Sequence, residues 1–264
     1  MVYDAIRRSG ENSVIIFKAL FEWFDINAYI ATKVIAPIEE LAIYGLLAKY
    51  ADSPLKVSYV VVGNAIIQAA VGGLAAAGTV SEDRGLGMLG ILIASPVNRL
   101  ANFLQRGAVH IADALLSVVV AFVFAVLIFH ISFASADYLA LCLSVLVAAL
   151  ASIALGLLLG AVSIAYGDFF LVHNLIFMLL LLLAGVNIPV TQLPGWVQPI
   201  SQFLPFTRSI QAARMALDGA SLGAVAPRLA VELALGVAYV AIGYCFLRLV
   251  ERLAISRGTL ERES

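Results

Sequence analysis

The chain is 264 residues long, 62% hydrophobic and 12% charged, with 16 basic and 17 acidic residues giving a net charge of −1. Soluble domains run roughly 45–50% apolar and about 25% charged, so this surface carries about half the charge that water demands. That excludes an ordinary soluble enzyme and a disordered chain, the long apolar runs exclude a β-barrel, and the balanced charge leaves no footprint for nucleic acid. What remains is an all-α polytopic membrane protein.

The first stretch, residues 1–25, places Val14, Phe17, Phe21 and Phe24 at helical spacing with Lys18, Glu22 and Asp25 on another face. This pattern predicts an amphipathic helix lying in the membrane interface. Charges are scattered through these residues, from Asp4 to Asp25, so no signal peptide is expected and the N-terminus stays on the side where it is made.

Spanning helices need about 20 residues with few ions. Val57–Ser81, Ala114–Ala136, Tyr138–Gly167 and Phe169–Thr207 contain no Asp, Glu, Lys or Arg. With a weaker segment that holds Lys33, Pro37, Glu39 and Glu40, and a last one holding Glu232, they predict six spans: 26–48, 57–80, 108–131, 138–163, 169–188 and 229–250. Six spans place both termini on one side together with residues 82–106. That side holds Arg7, Arg8, Lys18, Arg84, Arg99, Arg106, Arg248, Arg252, Arg257 and Arg262, against Lys49, Lys56, Arg208, Arg214 and Arg228 opposite. The excess predicts a multi-pass protein of the cell membrane with cytoplasmic termini, residues 251–264 forming a cytoplasmic tail.

Two connections stand out. In 82–106, Leu86, Leu89, Ile93 and Leu100 are spaced as a short apolar helix between Glu82-Asp83-Arg84 and Ser95-Pro96, which predicts a rigid cytoplasmic knob, either an interfacial helix or a docking element. After the fifth span, Pro189, Pro194, Pro199 and Pro205 break any continuous helix. The chain is expected to dip back as a re-entrant hairpin over 189–207, with Asn187 at its entry and Trp196 as an interfacial anchor.

Catalytic motifs are missing. Gly85-Leu-Gly-Met-Leu-Gly90 matches a dinucleotide fingerprint but sits at a membrane edge, outside any βαβ unit. No P-loop, nucleophile elbow or HExxH occurs, and His110, His130 and His173 are too scattered to hold a metal. Cys142 and Cys245 lie in apolar runs and read as small core residues. Ions inside spans are functional candidates by default. Lys33 and Glu40, two turns apart, share a face, while Glu39 points elsewhere. With Asn64, Gln68 and Glu232 they are candidates for cargo contact or for polar contact between helices. Tyr44, Tyr59 and Phe177 hint at an aromatic ladder along a pathway. Gly72, Gly73 and Gly156 mark close helix packing.

The segment from Ser81 to Arg99, with its Glu-Asp-Arg start and Ser-Pro-Val-Asn-Arg end, resembles the coupling-helix segment of type-2 ABC exporter permeases. The stretch Gly185-Val-Asn-Ile-Pro189, Leu193-Pro-Gly-Trp196, Pro199 and Leu204-Pro-Phe-Thr207, followed by Arg214, resembles the same family's re-entrant hairpin. Gly85-Leu-Gly87 departs from the family's commoner Gly-Thr-Leu, which leaves partner specificity open. The resemblance covers the whole chain and is closest to the drug and small-molecule export branch. It implies a dimer of permease subunits bound to two separate ATP-binding subunits, which carry ATP and Mg; this chain itself binds no cofactor and is no enzyme. Glu82, Asp83, Arg84, Leu89, Ser95, Pro96 and Arg99 are then the residues that meet the ATPase. An amphipathic or lipid-like cargo is expected. Export of a polysaccharide or lipid-linked glycan is the alternative within transport; a proton-coupled carrier or an intramembrane enzyme is the alternative from another class.

Overall fold

The computed structural model describes residues 26–50, 56–85, 99–166 and 169–257, and these are helical with short connections. A first run combines α1 (Ile26–Ile30), one π-helical stretch (Ala31–Ile35) and α2 (Ala36–Tyr50). Then follow α3 (Val57–Gly85), α4 (Arg99–Phe129), α5 (Tyr138–Tyr166), α6 (Phe169–Leu183), a 3₁₀ turn (Val190–Gln192), α7 (Gln198–Phe203), α8 (Thr207–Leu217) and α9 (Leu222–Arg257). Among the described residues four helices are long and apolar enough to cross a membrane: α3, α4, α5 and α9. At 15 residues α6 is apolar but shorter, about 22 Å by helical rise.

The order of burial follows composition. The apolar stretches of α3 and α5 are 89% and 78% buried, those of α4 and α9 only 33% and 17%. Accordingly α3 carries many small residues, and α5 is the hub, packed against α3, α4, α6, α8 and α9. Gly73 and Gly156 set the α3–α5 crossing: a Cβ on Gly73 would lie 1.9 Å from the Ser152 carbonyl oxygen, and one on Gly156 2.2 Å from that of Gly73. The main core lies between α3 and α5, around Ile66, Ile67, Leu74, Leu155 and Leu159, and extends to Phe206 and Ile210 of the hairpin. A second core joins Phe103, Ile153, Leu157 and Leu247 at the far end. The faces left uncovered are strongly apolar, among them Val123 and Leu127 of α4, Leu171 and Met178 of α6, and Val237 and Ile242 of α9. Such surface belongs in hydrocarbon.

Helix limits depart from the charge-gap limits for physical reasons. α4 begins at Arg99, ahead of 108, because a long helix can carry its first polar turns beyond the apolar window. α9 begins at Leu222 and holds Pro227 as its sixth residue, where the ring forgoes the one N–H that would meet the Gly223 carbonyl. α6 stops at Leu183, short of 188, where Gly185 turns into the left-handed region at φ 78°. The amphipathic stretch 1–25, Leu89, Ser95 and Pro96 of the knob, and residues 258–264 lie outside the described residues. Of the knob, Glu82, Asp83 and Arg84 fall on the last turn of α3 and Arg99 opens α4.

Candidate functional site

Three polar clusters are built into the bundle, each where one element must be fastened to another. The first fastens the hairpin. Arg214 projects from α8 beneath the start of α3 and the end of α6. Its Nε and Nη2 donate to the Tyr59 carbonyl at 3.2 and 2.8 Å, Nη1 to the Gly185 carbonyl at 2.8 Å, and Nη2 also to the Val186 carbonyl at 2.7 Å. The guanidinium lies 3.4 Å from the centroid of the Tyr59 ring, and the Tyr59 hydroxyl donates to the same Gly185 carbonyl at 3.1 Å. The carbonyls after α6 have no intrahelical donor, and a planar fork of N–H groups stacked on an aromatic ring satisfies several at once. The cation thus works as a clamp on backbone.

Glu232 fastens the hairpin's other side. It is fully buried on α9 and accepts from the N–H of Phe206 at 2.5 Å and of Arg208 at 3.0 Å. These are orphan donors at the start of α8, and a carboxylate there also complements the helix dipole. Phe206, fully buried with φ 76°, provides the sharp entry after Pro205. Thr207 donates to the Ser201 carbonyl at 2.8 Å, and Arg208 to that of Gln202. Asp137 similarly accepts from the N–H groups of Ala140 and Leu222, joining the starts of α5 and α9.

Within the hairpin each proline opens or bounds a turn. Pro189 precedes the 3₁₀ turn, Pro194 accepts from the Val197 N–H at 2.8 Å, and Pro199 occupies the first turn of α7. Val190, Leu193 and Val197 form a small core of their own, and Trp196 is 75% exposed. Lys56, Tyr59, His130, Ser135, Arg214 and Asp218 line an open cavity of about 550 Å³.

The second cluster is a ladder along α3. Asn64 donates to the Asn187 side-chain oxygen at 2.7 Å, and one turn on Gln68 donates to Glu40 Oε2 at 2.7 Å. One oxygen each of Asn64 and Glu40 is buried without a partner among the described residues. The ladder joins α2, α3 and the hairpin entry, bringing together four residues singled out by sequence. Glu39 is exposed on α2, while Tyr44 and Phe177 are half-buried and pack against the main core.

The third cluster joins the first run to α4. Lys33, in the π-helical stretch, pairs with Asp113, which also accepts from the Tyr29 hydroxyl at 3.0 Å. Lys33 and Asp113 are 8% and 5% exposed. One turn before Asp113, His110 is 7% exposed, and both ring nitrogens are without a hydrogen-bond partner among the described residues. Lys33 and Glu40 therefore serve different helices. Sequence reasoning passed over Asp113, Tyr29 and the role of Arg214. The signal for Asp113 was present: Arg106, His110, Asp113 and Ser117 form a polar stripe at helical spacing on an otherwise apolar helix.

Long apolar helices with lipid-suited outer faces and polar groups paired between helices define a multi-pass membrane protein. The family model described as ABC-2 type transporter matches residues 11–217, and the chain belongs to that family. No curated protein matches the chain.

Proposed function

We propose that this chain is the membrane subunit of an ATP-driven exporter, with six spans, cytoplasmic termini and a pathway formed between two permease subunits. The spans are the first run, α3, α4, α5, α6 with its bent exit, and α9. Two separate ATP-binding subunits supply ATP and Mg and press on the segment from Glu82 to Arg99. The observation that carries this reading is the family match, whose 11–217 extent brackets both the coupling segment and the hairpin. The apolar spacing of Leu86, Leu89 and Ile93 supports a short helix stiff enough to pass on a displacement. The Asn64–Asn187 bond supports a pathway wall in which α3 and the hairpin entry move together, with Gln68 meeting Glu40 of α2 in this register. Apolar outer faces and few charges at depth suit an amphipathic or lipid-like cargo, which partitions where such faces lie.

The test is assembly. The chain co-expressed with its ATP-binding subunit should co-purify and hydrolyse ATP in proteoliposomes. Leu89→Asp combined with Arg99→Asp should abolish both association and ATP hydrolysis while leaving the permease monodisperse. Undiminished association would refute the docking role of 82–99. In the same preparation, Ser95→Cys should label from the cytoplasmic side and Gln198→Cys from the outside; labelling from one side would refute the topology.

A further inference from the structure

The buried ion pair between the first run and α4 stands beside a group with no partner among the described residues. Asp113 uses one carboxylate oxygen on Lys33 and the other on Tyr29, so that end of the cluster is filled. His110 lies on the same face one turn nearer the start of α4, buried, with neither ring nitrogen partnered among the described residues. A neutral imidazole always offers one acceptor nitrogen, and buried polar groups are rarely left unsatisfied without a reason. The first run and α4 are both directed toward the hairpin end, since Gly45 lies against the Phe129 ring there. Lys33 therefore needs to travel only about one helical turn along α4, about 5 Å, to exchange Asp113 for His110. Its own backbone is suited to such a shift. Lys33 is the central residue of the π-helical stretch Ala31–Ile35, a widened turn of the kind that clusters at functional sites. On its other side this α4 turn is held against α3, where a Cβ added to Gly72 would sit 2.7 Å from the His110 carbonyl oxygen, so a shift of the first run leaves α4 in place.

We propose that Lys33 has two seats on α4, Asp113 and His110, and that the first run moves between them by one turn during transport. The proposal rests on the exporter reading above, because α4 starts where the coupling segment ends and would carry its displacement to the first run. Discrete one-turn steps between packed helices are an established mode of switching. His110 is then a positioning residue: it holds the first run in its second register and touches no cargo.

The measurement is a distance within one chain. In a Cys142→Ser, Cys245→Ser background, spin labels at Leu47→Cys on the first run and Val123→Cys on α4 occupy exposed positions. In the assembled complex the distance distribution should change between the nucleotide-free and vanadate-trapped states, by up to about one helical pitch. His110→Ala should hold it at the nucleotide-free value while ATP hydrolysis continues, and His110→Gln, which restores an acceptor, should return the change. Lys33→Met should remove the change as well. A His110→Ala complex that shifts as the parent does would overturn the proposal, as would a parent that hydrolyses ATP with no change in distance. Failure to assemble with the ATP-binding subunit at all would instead strike at the exporter reading, and this inference would fall with it.

Discussion

Arg214 is a cation whose described partners are backbone carbonyls and an aromatic ring, and this sets what each neighbour must be. Gly63 is on the facing turn of α3, where an added Cβ would lie 2.3 Å from Arg214 Nη2 and 2.3 Å from the Val186 carbonyl oxygen. The carbonyl is backbone and cannot swing aside. Gly63→Ala should therefore cost about 1–3 kcal/mol, the usual range for overpacking, seen as a lowered Tm in detergent. Gly195, with nothing within 4 Å of its added Cβ, is the matched control, and Gly195→Ala should stay within about 0.5 kcal/mol of the parent. Arg214→Lys keeps the charge but replaces a planar fork by a compact ammonium. With at least two of the four carbonyl bonds gone, each to a charged donor, a loss of about 3 kcal/mol or more is expected. An unchanged Tm in Arg214→Lys would mean the charge alone holds the hairpin.

At the scale of elements, the hairpin is a foreign body among long helices, held by side chains that do for it what a longer helix does for itself. α8 has 11 residues, a length at which helices are marginal alone, and its first N–H groups depend on Glu232 from another helix. Glu232→Ala leaves two buried donors without an acceptor, costing about 1–3 kcal/mol each. The expected outcome is local: trypsin should cut after Arg208 readily in Glu232→Ala and slowly in the parent, with α9 intact in both. Equal cleavage would show that packing of Phe206 and Ile210 suffices. This element also marks how far sequence could be read. Prolines at 189, 194, 199 and 205 announce a broken segment, because proline removes a donor and fixes φ whatever surrounds it. Glu232 is conspicuous as an ion at depth, yet its partners are N–H groups, which every residue but proline carries and which no residue type betrays. Asp113 escaped for a different reason. Counting charge-free runs directs attention to the run that opens at Ala114, so the charge just before it drew no notice as an intramembrane ion even though the predicted span 108–131 contains it; Asp113 is four turns inside α4.

For the whole molecule, the division of labour between helices follows from where small residues lie. α3 and α5 bring glycine, alanine and serine to one crossing, so their backbones meet almost without side chains between them. In lipid, where apolar burial gives little net drive, close packing of this kind is a main source of association. α4 and α9 keep large aliphatic residues and turn them outward. The consequence is an unequal response to mutation that is opposite to the habit of soluble proteins, in which large core residues are the sensitive ones. Gly156→Val adds bulk where even a Cβ would be 2.2 Å from the Gly73 carbonyl oxygen, and α5 cannot retreat because α4, α6, α8 and α9 also rest on it. Removing bulk from the outer face, as in Leu171→Ala on α6, which is 65% exposed, opens no interior cavity. Gel filtration and thermal unfolding in mild detergent should find Gly156→Val aggregated or destabilised by more than about 3 kcal/mol, beyond the ordinary overpacking range, and Leu171→Ala monodisperse with an unchanged Tm. If Leu171→Ala proves the more damaging of the two, then the α6 face is a protein contact rather than a lipid-facing surface, and the partner permease of the proposed dimer is what covers it.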